Sequence, residues 1–358
     1  MKIPFITLAL LTCVLVNGQI PDTLIDQPVK NFETLWKKFD DHYAFFDQKT
    51  FTWDAIHKRY GGQINNNTSN DTLFSICSRM LGELKDGHVT LSKKNKYFNA
   101  GRSNNFYTEF PKRDLIRSLI QVTDSNLTKF GFTNLTKIYR SASTNSVLIE
   151  LSKASNYGYI RINAMEGMSR HKLKSVLKLA VKHFDSSKGI IIDVRFNGGG
   201  EDTYSYQIAG SFTDKKRIGH YKCTRKTSGH NDFTKLETWY LKPKGSRQIL
   251  MPIIILTSNA SASATDVFVL AMRQLPYVTI IGDNTFGVFS DMYESKLPNG
   301  WEFSLSHQKY FSVDMKCYEG IGITPDIHLL NSTNDINQRK DPLFYKAIEI
   351  LNEKTVIK

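Results

Sequence analysis

The chain is poor in the features that assign a protein at a glance. Only four of its 358 residues are cysteine. Cys13 lies in an apolar N-terminal run, and Cys77, Cys223 and Cys317 are too far apart for a disulfide framework or a zinc site. No glycine run has the GxxxxGK[ST] or GxGxxG spacing of a phosphate cradle. The formal charge is +13, yet there is no arginine-rich tract and no RNA-binding motif. Lysines are scattered, as in Lys37-Lys38, Lys93-Lys94 and Lys215-Lys216, which describes a solvated basic surface rather than a nucleic-acid partner. Repeats and low-complexity tracts are absent. Beyond the first residues no segment is long and apolar enough to span a bilayer, so stable membrane insertion is not expected.

What is present points to an exported globular protein. Hydrophobic residues make up 41% and aromatics 12%, ample for a buried core. The opening "MKIPFITLALLTCVLVNG" places one lysine before an apolar run that ends in small residues at Gly18. This reads as a signal peptide over residues 1–18 and implies a periplasmic or secreted protein. Thr12 before Cys13 argues against a lipoprotein site.

Hydrophobic spacing divides the remainder. Phe32, Leu35, Trp36, Phe39, Tyr43 and Phe46 recur at three- and four-residue steps, as do Leu73, Ile76, Cys77, Met80, Leu81 and Leu84. Residues 19–95 are therefore expected to form a helical domain, with Asp71 as an N-cap. Residues 96–150 read as a mixed connecting segment with short strands such as "SVLIEL". From there "YGYIRIN", "GIIIDVRF", "MPIIILTS" and "YVTIIG" alternate with amphipathic helical patterns. Short runs this apolar suit strands covered on both faces, so parallel strands with crossover helices are expected over 151–335, and a final helix over 336–358.

Four stretches could carry chemistry. "LTSNASASATD" joins a buried strand to a helix start, where unpaired N–H groups can receive an oxyanion beside a serine nucleophile. "DVRFNGGG" offers bare backbone N–H groups after another strand. "LKDGHVTL" holds His88 on a loop, suited to a general base. "YEGIGITPDI" holds Glu319 among apolar residues, where a carboxylate needs a partner. Each also has a plain structural reading: a helix cap, a tight turn, a surface histidine, a carboxylate paired with a lysine or arginine.

Taken together and in order, "LKDGHVTL", "GYIRIN", "IIIDVRFNGGG", "ILTSNASASATD", "IIGDNTFG" and "EGIGITPDI" resemble the tail-specific proteases, the carboxyl-terminal processing peptidases and tricorn-like relatives of serine peptidase family S41. The resemblance implies an α/β fold, with a crotonase-like core sheet and crossover helices behind a small helical domain. It implies that Ser263, three residues before Asp266, is the nucleophile. The oxyanion hole would use the N–H of Ala264 and one from the glycine turn, Gly199 first and Gly198 next. The processing-peptidase branch uses a lysine base where this chain has Val288, so the resemblance points to the tricorn-like branch, with His88 as base and Glu319 behind it. That branch has a serine before the histidine, and here the position is Gly87. Either a water bridges Glu319 to His88 or Glu319 positions other groups. The stretch between His88 and Tyr157 is too short for a PDZ domain, and no GLGF-type loop occurs. Protein or peptide substrates are implied, with no metal and no organic cofactor. A different class of reading is an inactive S41-like module that binds an apolar ligand or peptide, and a crotonase-type acyl-CoA enzyme would share the core.

Overall fold

The computed structural model describes residues 27–356, apart from 142–145, 168 and 228. The expected signal peptide, residues 1–18, lies outside the described residues.

The N-terminal helices are α1 (Pro28–His42), α2 (Trp53–Gly61) and α3 (Asn70–Gly82). Their apolar stripes meet in one cluster containing Phe32, Leu35, Phe39, Trp53, Ile56, Leu73, Cys77 and Met80. Each fully buried side chain of this size contributes on the order of 2 kcal/mol of transfer free energy. Ser69, not Asp71, caps α3: its side chain accepts from Thr72 N. Asp71 sits in the first turn, where it favours the helix dipole, and pairs with Lys93 and Lys96.

The helical pattern stops at Leu84, and the chain turns into a hairpin, β1 (Thr90–Lys93) and β2 (Lys96–Asn99). Two helices follow, α4 (Asn105–Glu109) and α5 (Arg113–Lys129). So the connecting segment carries a 17-residue helix as well as strands. The antiparallel strands β3 (Thr136–Arg140) and β4 (Val147–Lys153) come next, and β4 runs across residue 151, the expected start of the core.

The core then alternates strand and helix: β5 (Tyr157–Ile162), α6 (Arg170–His183), β6 (Gly189–Asp193) and α7 (Asp202–Ala209). A strand pair, β7 (Arg217–Thr224) and β8 (Glu237–Leu241), is inserted before β9 (Ile253–Thr257), α8 (Ala264–Met272) and β10 (Val278–Gly282). The chain continues through β11 (Met292–Lys296), β12 (Glu302–Ser306), β13 (Gln308–Phe311) and β14 (Ile327–His328). It closes with α9 (Thr333–Gln338) and α10 (Pro342–Val356).

The main sheet has seven strands in the order β14-β10-β9-β6-β5-β4-β3. Strands β14 to β5 run parallel, and β4 and β3 are antiparallel. The apolar runs are explained by what covers them. Ile190, Ile192, Ile253 and Ile255 face α6, α7 and α8. The alternate residues Ile191, Ile254 and Leu256 face α10 through Phe344, Ala347 and Leu351. A strand buried on both faces has no place for a polar residue until its end.

A second sheet, in the order β11-β12-β1-β2, decides where the site lies. Thr90 pairs with Ser304 and Leu91 with Phe303, so the hairpin after His88 is stitched to the C-terminal half of the chain. The third sheet is β13-β7-β8.

Candidate active site

The Ser263 turn is held in a conformation few residues adopt. Ser263 has φ 58° and ψ −123°, outside the regions comfortable for a side chain with a Cβ. Such a residue costs about 1–3 kcal/mol and persists only where its surroundings fix it. Asp266 does much of the fixing. Its Oδ2 accepts from Ser263 N at 2.7 Å and from Val288 N at 3.1 Å, and its Oδ1 accepts from Gly287 N at 2.9 Å. Burial raises the Asp266 pKa to about 6, against the pull of these bonds.

His88 reaches this turn from 175 residues away: its Nε2 lies 3.2 Å from Ser263 Oγ. The backbone around it is anchored at both ends. His88 N donates to Asp86 Oδ1 at 2.8 Å, and Ser304 Oγ donates to His88 O at 2.7 Å. Ser306 Oγ also donates to Asp86 Oδ1, at 3.1 Å. The imidazole is nearly buried, and burial lowers its pKa, opposed by the carboxylates of Asp86 and Asp291 and the backbone of Ser290. A neutral imidazole is the form that can take a proton. Nδ1 is buried and has no carboxylate on it among the described residues.

Glu319 is not on that nitrogen. It is buried and accepts from Phe289 N at 2.8 Å. Burial, reinforced by the nearby Asp86 charge, pushes its pKa well above the carboxylate range. Beside it, Tyr43, Lys49, Asp86, Gly87, Val288 and Glu319 help line a cavity of about 20 Å³, the size of a single water. Tyr43 and Asp86, both buried, interact with each other there, and burial first, then the Asp86 charge, pushes the Tyr43 pKa up.

The glycine turn packs against the nucleophile. Gly199 has φ +111°, and a Cβ there would lie 2.7 Å from Ser263 Cβ and 3.0 Å from Ala264 N. Its N–H, expected to face an oxyanion, donates instead to Asn197 Oδ1 at 2.9 Å. The N–H groups of Gly198 and Ala264 have no acceptor among the described residues. Asn197 holds the whole turn: Nδ2 donates to Ile162 O, and its carbonyl accepts from Ala262 N.

Asp86 and Asn197 escaped attention in the sequence. The Asp-Gly-His order of residues 86–88 is the available signal for Asp86, since an aspartate commonly accepts from the N–H two residues on. Among the described residues no cluster of His, Cys, Asp and Glu could hold a metal ion, and no helix is long and apolar enough to cross a membrane.

A serine held in a strained turn, a neutral histidine on its oxygen, and free N–H groups at a helix start define the serine-peptidase class. Comparisons with known proteins agree. The description "Peptidase family S41" matches residues 156–329, and "Tricorn protease C1 domain" matches residues 27–82. The crystal structure of a provisionally named peptidase from Parabacteroides merdae ATCC 43184 superposes with a TM-score of 0.75 at 32% identity, covering 91% of this chain and 96% of that one. A protein named as a probable CtpA-like serine protease of Staphylococcus haemolyticus is 28% identical over 178 residues, 50% of this chain and 34% of the relative. The match thus spans about a third of the curated relative's length. Mature CPAF complexed with lactacystin shares the fold, with a TM-score of 0.63 at 12% identity over 94% of this chain and 98% of that one. The chain belongs to peptidase family S41.

Proposed function

We propose that the chain is an exported serine endopeptidase that cleaves proteins or peptides through Ser263 and His88. The observation that carries this reading is the 3.2 Å approach of His88 Nε2 to Ser263 Oγ at a strained helix start. Ser263 Oγ attacks the scissile carbonyl while His88 takes its proton. The tetrahedral oxygen is received by Ala264 N–H and Gly198 N–H, with Gly199 serving close packing. His88 then returns the proton to the leaving amine, and a water repeats the sequence to release the acyl group. Removing one such oxyanion donor costs about 10²–10³ in rate in a well-studied case. No metal or organic cofactor enters these steps.

A reactive fluorophosphonate tests the proposal. Labelling confined to Ser263, with cleavage of a casein substrate lost in Ser263→Ala, is the expected result. A Ser263→Ala chain that cleaves casein as fast as the unsubstituted one removes the nucleophile.

One observation favours the second reading, a catalytically silent module that binds an apolar ligand or peptide. No carboxylate bonds His88 Nδ1 and Glu319 is turned to Phe289, so the imidazolium formed on attack lacks a direct carboxylate. A folded chain that neither labels nor cleaves decides for that reading.

A further inference from the structure

One short stretch touches four of the loops that build the site. Residues 99–105 join β2 to α4. Asn99 Nδ2 donates to Gly87 O at 2.7 Å, one residue before His88. The Arg102 guanidinium donates through Nη1 to Gly320 O, one residue after Glu319. Through Nη2 it donates to Phe286 O, one residue before the Gly287 and Val288 amides that Asp266 binds. The same guanidinium lies 4.8 Å from the centre of the Phe286 ring. Asn104 Nδ2 then donates to Asn259 O at 2.6 Å, and Asn105 N donates to Asn259 Oδ1 at 3.1 Å, on the turn that leads to Ser263.

We infer that Arg102 is a positioning residue that ties the glutamate loop to the Phe286–Val288 loop, on which Gly87 of the base loop packs and to which Asp266 links the Ser263 turn. This rests on the peptidase reading above. The chemistry suits arginine. Its planar fork offers two parallel donors in fixed geometry, so one side chain spans two carbonyls on separate loops; a lysine is a single point charge and spans one. The two loops are joined to each other by Gly320 N to Gly287 O at 2.8 Å and Thr285 N to Ile323 O at 3.2 Å, and the fork adds a bond to each from a third segment. Arg102 is also the half-buried cation facing the carboxyls of Asp86, Asp266 and Glu319, with Lys49 as the other cation near Glu319. Its charge favours the ionised Asp266 that accepts from Ser263, Gly287 and Val288. Displacing catalytic groups by an ångström is enough to cost about 10²-fold in rate.

Two variants separate the fork from the charge. Arg102→Ala is expected to slow fluorophosphonate labelling of Ser263 at saturating probe by about tenfold or more, with the half-saturating concentration little changed. Its acid limb moves to higher pH, because without the cation Asp266 is protonated sooner. Arg102→Lys keeps the limb near its original pH but not the rate, and added ethylguanidinium partly restores the Ala variant. Hydrogen exchange gives a readout that needs no activity: residues 85–91, 284–290 and 317–322 lose protection in Arg102→Ala while α6 and β9 do not. Unchanged protection in those three segments, or labelling by Arg102→Ala with unsubstituted rate and pH profile, overturns the inference. An unsubstituted chain that does not label would sink the peptidase reading instead, and the exchange result would decide this one.

Discussion

Gly87 and Val288 touch. A Cβ placed on Gly87 would lie 3.0 Å from Val288 Cγ1 and 2.9 Å from Phe286 Cε1. In sequence these are two separate departures from the S41 pattern, a missing serine before the histidine and a missing lysine after "NTFG". In the structure the two positions are neighbours, and a side chain added at one meets the other. Gly87→Ser is therefore expected to destabilise by about 1–3 kcal/mol through overpacking. Gly87→Ser with Val288→Ala recovers part of that loss. Urea unfolding of the four chains in the cycle measures the coupling, and additive effects would show that the contact does not matter.

His88→Ala should lower the labelling rate of Ser263 by about 10²–10⁴, the usual worth of a positioned general base. The fold should survive, because the backbone anchors of that loop are Asp86 and Ser304 rather than the imidazole. Equal labelling rates would remove His88 from the reaction.

Glu319→Gln should label at nearly the unsubstituted rate at neutral pH. Burial pushes the Glu319 pKa well above its ordinary value, and glutamine preserves an oxygen to accept from Phe289 N. Glu319→Ala leaves that N–H without an acceptor, at about 1–3 kcal/mol of stability. A large rate loss in Glu319→Gln would show that its ionised form is required.

Two neighbouring positions of the glycine turn, Gly198 and Gly199, should respond oppositely to a methyl group. Nothing lies within 4 Å of a Cβ on Gly198, whereas one on Gly199 meets Ala262 O and Ser263 Cβ at 2.7 Å with φ at +111°. Gly198→Ala keeps its N–H and should retain most labelling. Gly199→Ala should lose it, and the comparison is a single labelling assay on two soluble variants.

Burial holds the His88 pKa below its ordinary 6.5. The neutral base thus persists into mild acid, and the part of the acid limb that His88 sets falls below pH 6.5. Stability follows the same sign. Below 6.5 the unfolded chain binds a proton at this histidine that the folded chain does not. The stability this group contributes is therefore present above the unfolded value and declines as pH falls toward the folded one. Urea midpoints between about pH 5 and about pH 8 should show a steeper fall for the unsubstituted chain than for His88→Ala.

Much of the core was legible because its strands are buried on both faces. A run such as "GIIID" or "IIILT" admits almost no other reading once helices flank it. Ser263 was singled out among the serines of its turn only through the S41 resemblance; the structure shows Asp266, three residues on, gripping the Ser263 N–H. The rest depends on distant partners. Nothing near Thr90 says that it pairs with Ser304, so the helical segment appeared to run through residue 95. Asp71 looked like a cap because it is acidic at a helix start, but Ser69 stands where the φ and ψ of a cap occur. Gly199 was expected in the oxyanion hole because glycine bares its N–H; Asn197, two residues earlier, takes that N–H. Arg102 left no trace, since an isolated side chain that bonds to carbonyls has no periodicity to detect.

The stitching of the β1–β2 hairpin onto β12 also sets an order of events during synthesis. The base is made early and the strand that carries it into place is made late, because Leu91 rests on Phe303. A growing chain that has not reached residue 306 has no docked His88, although Ser263 has already been translated. Non-local pairing of this kind forms last. On the peptidase reading, His88 and Ser263 are expected to meet only once nearly all of the chain exists.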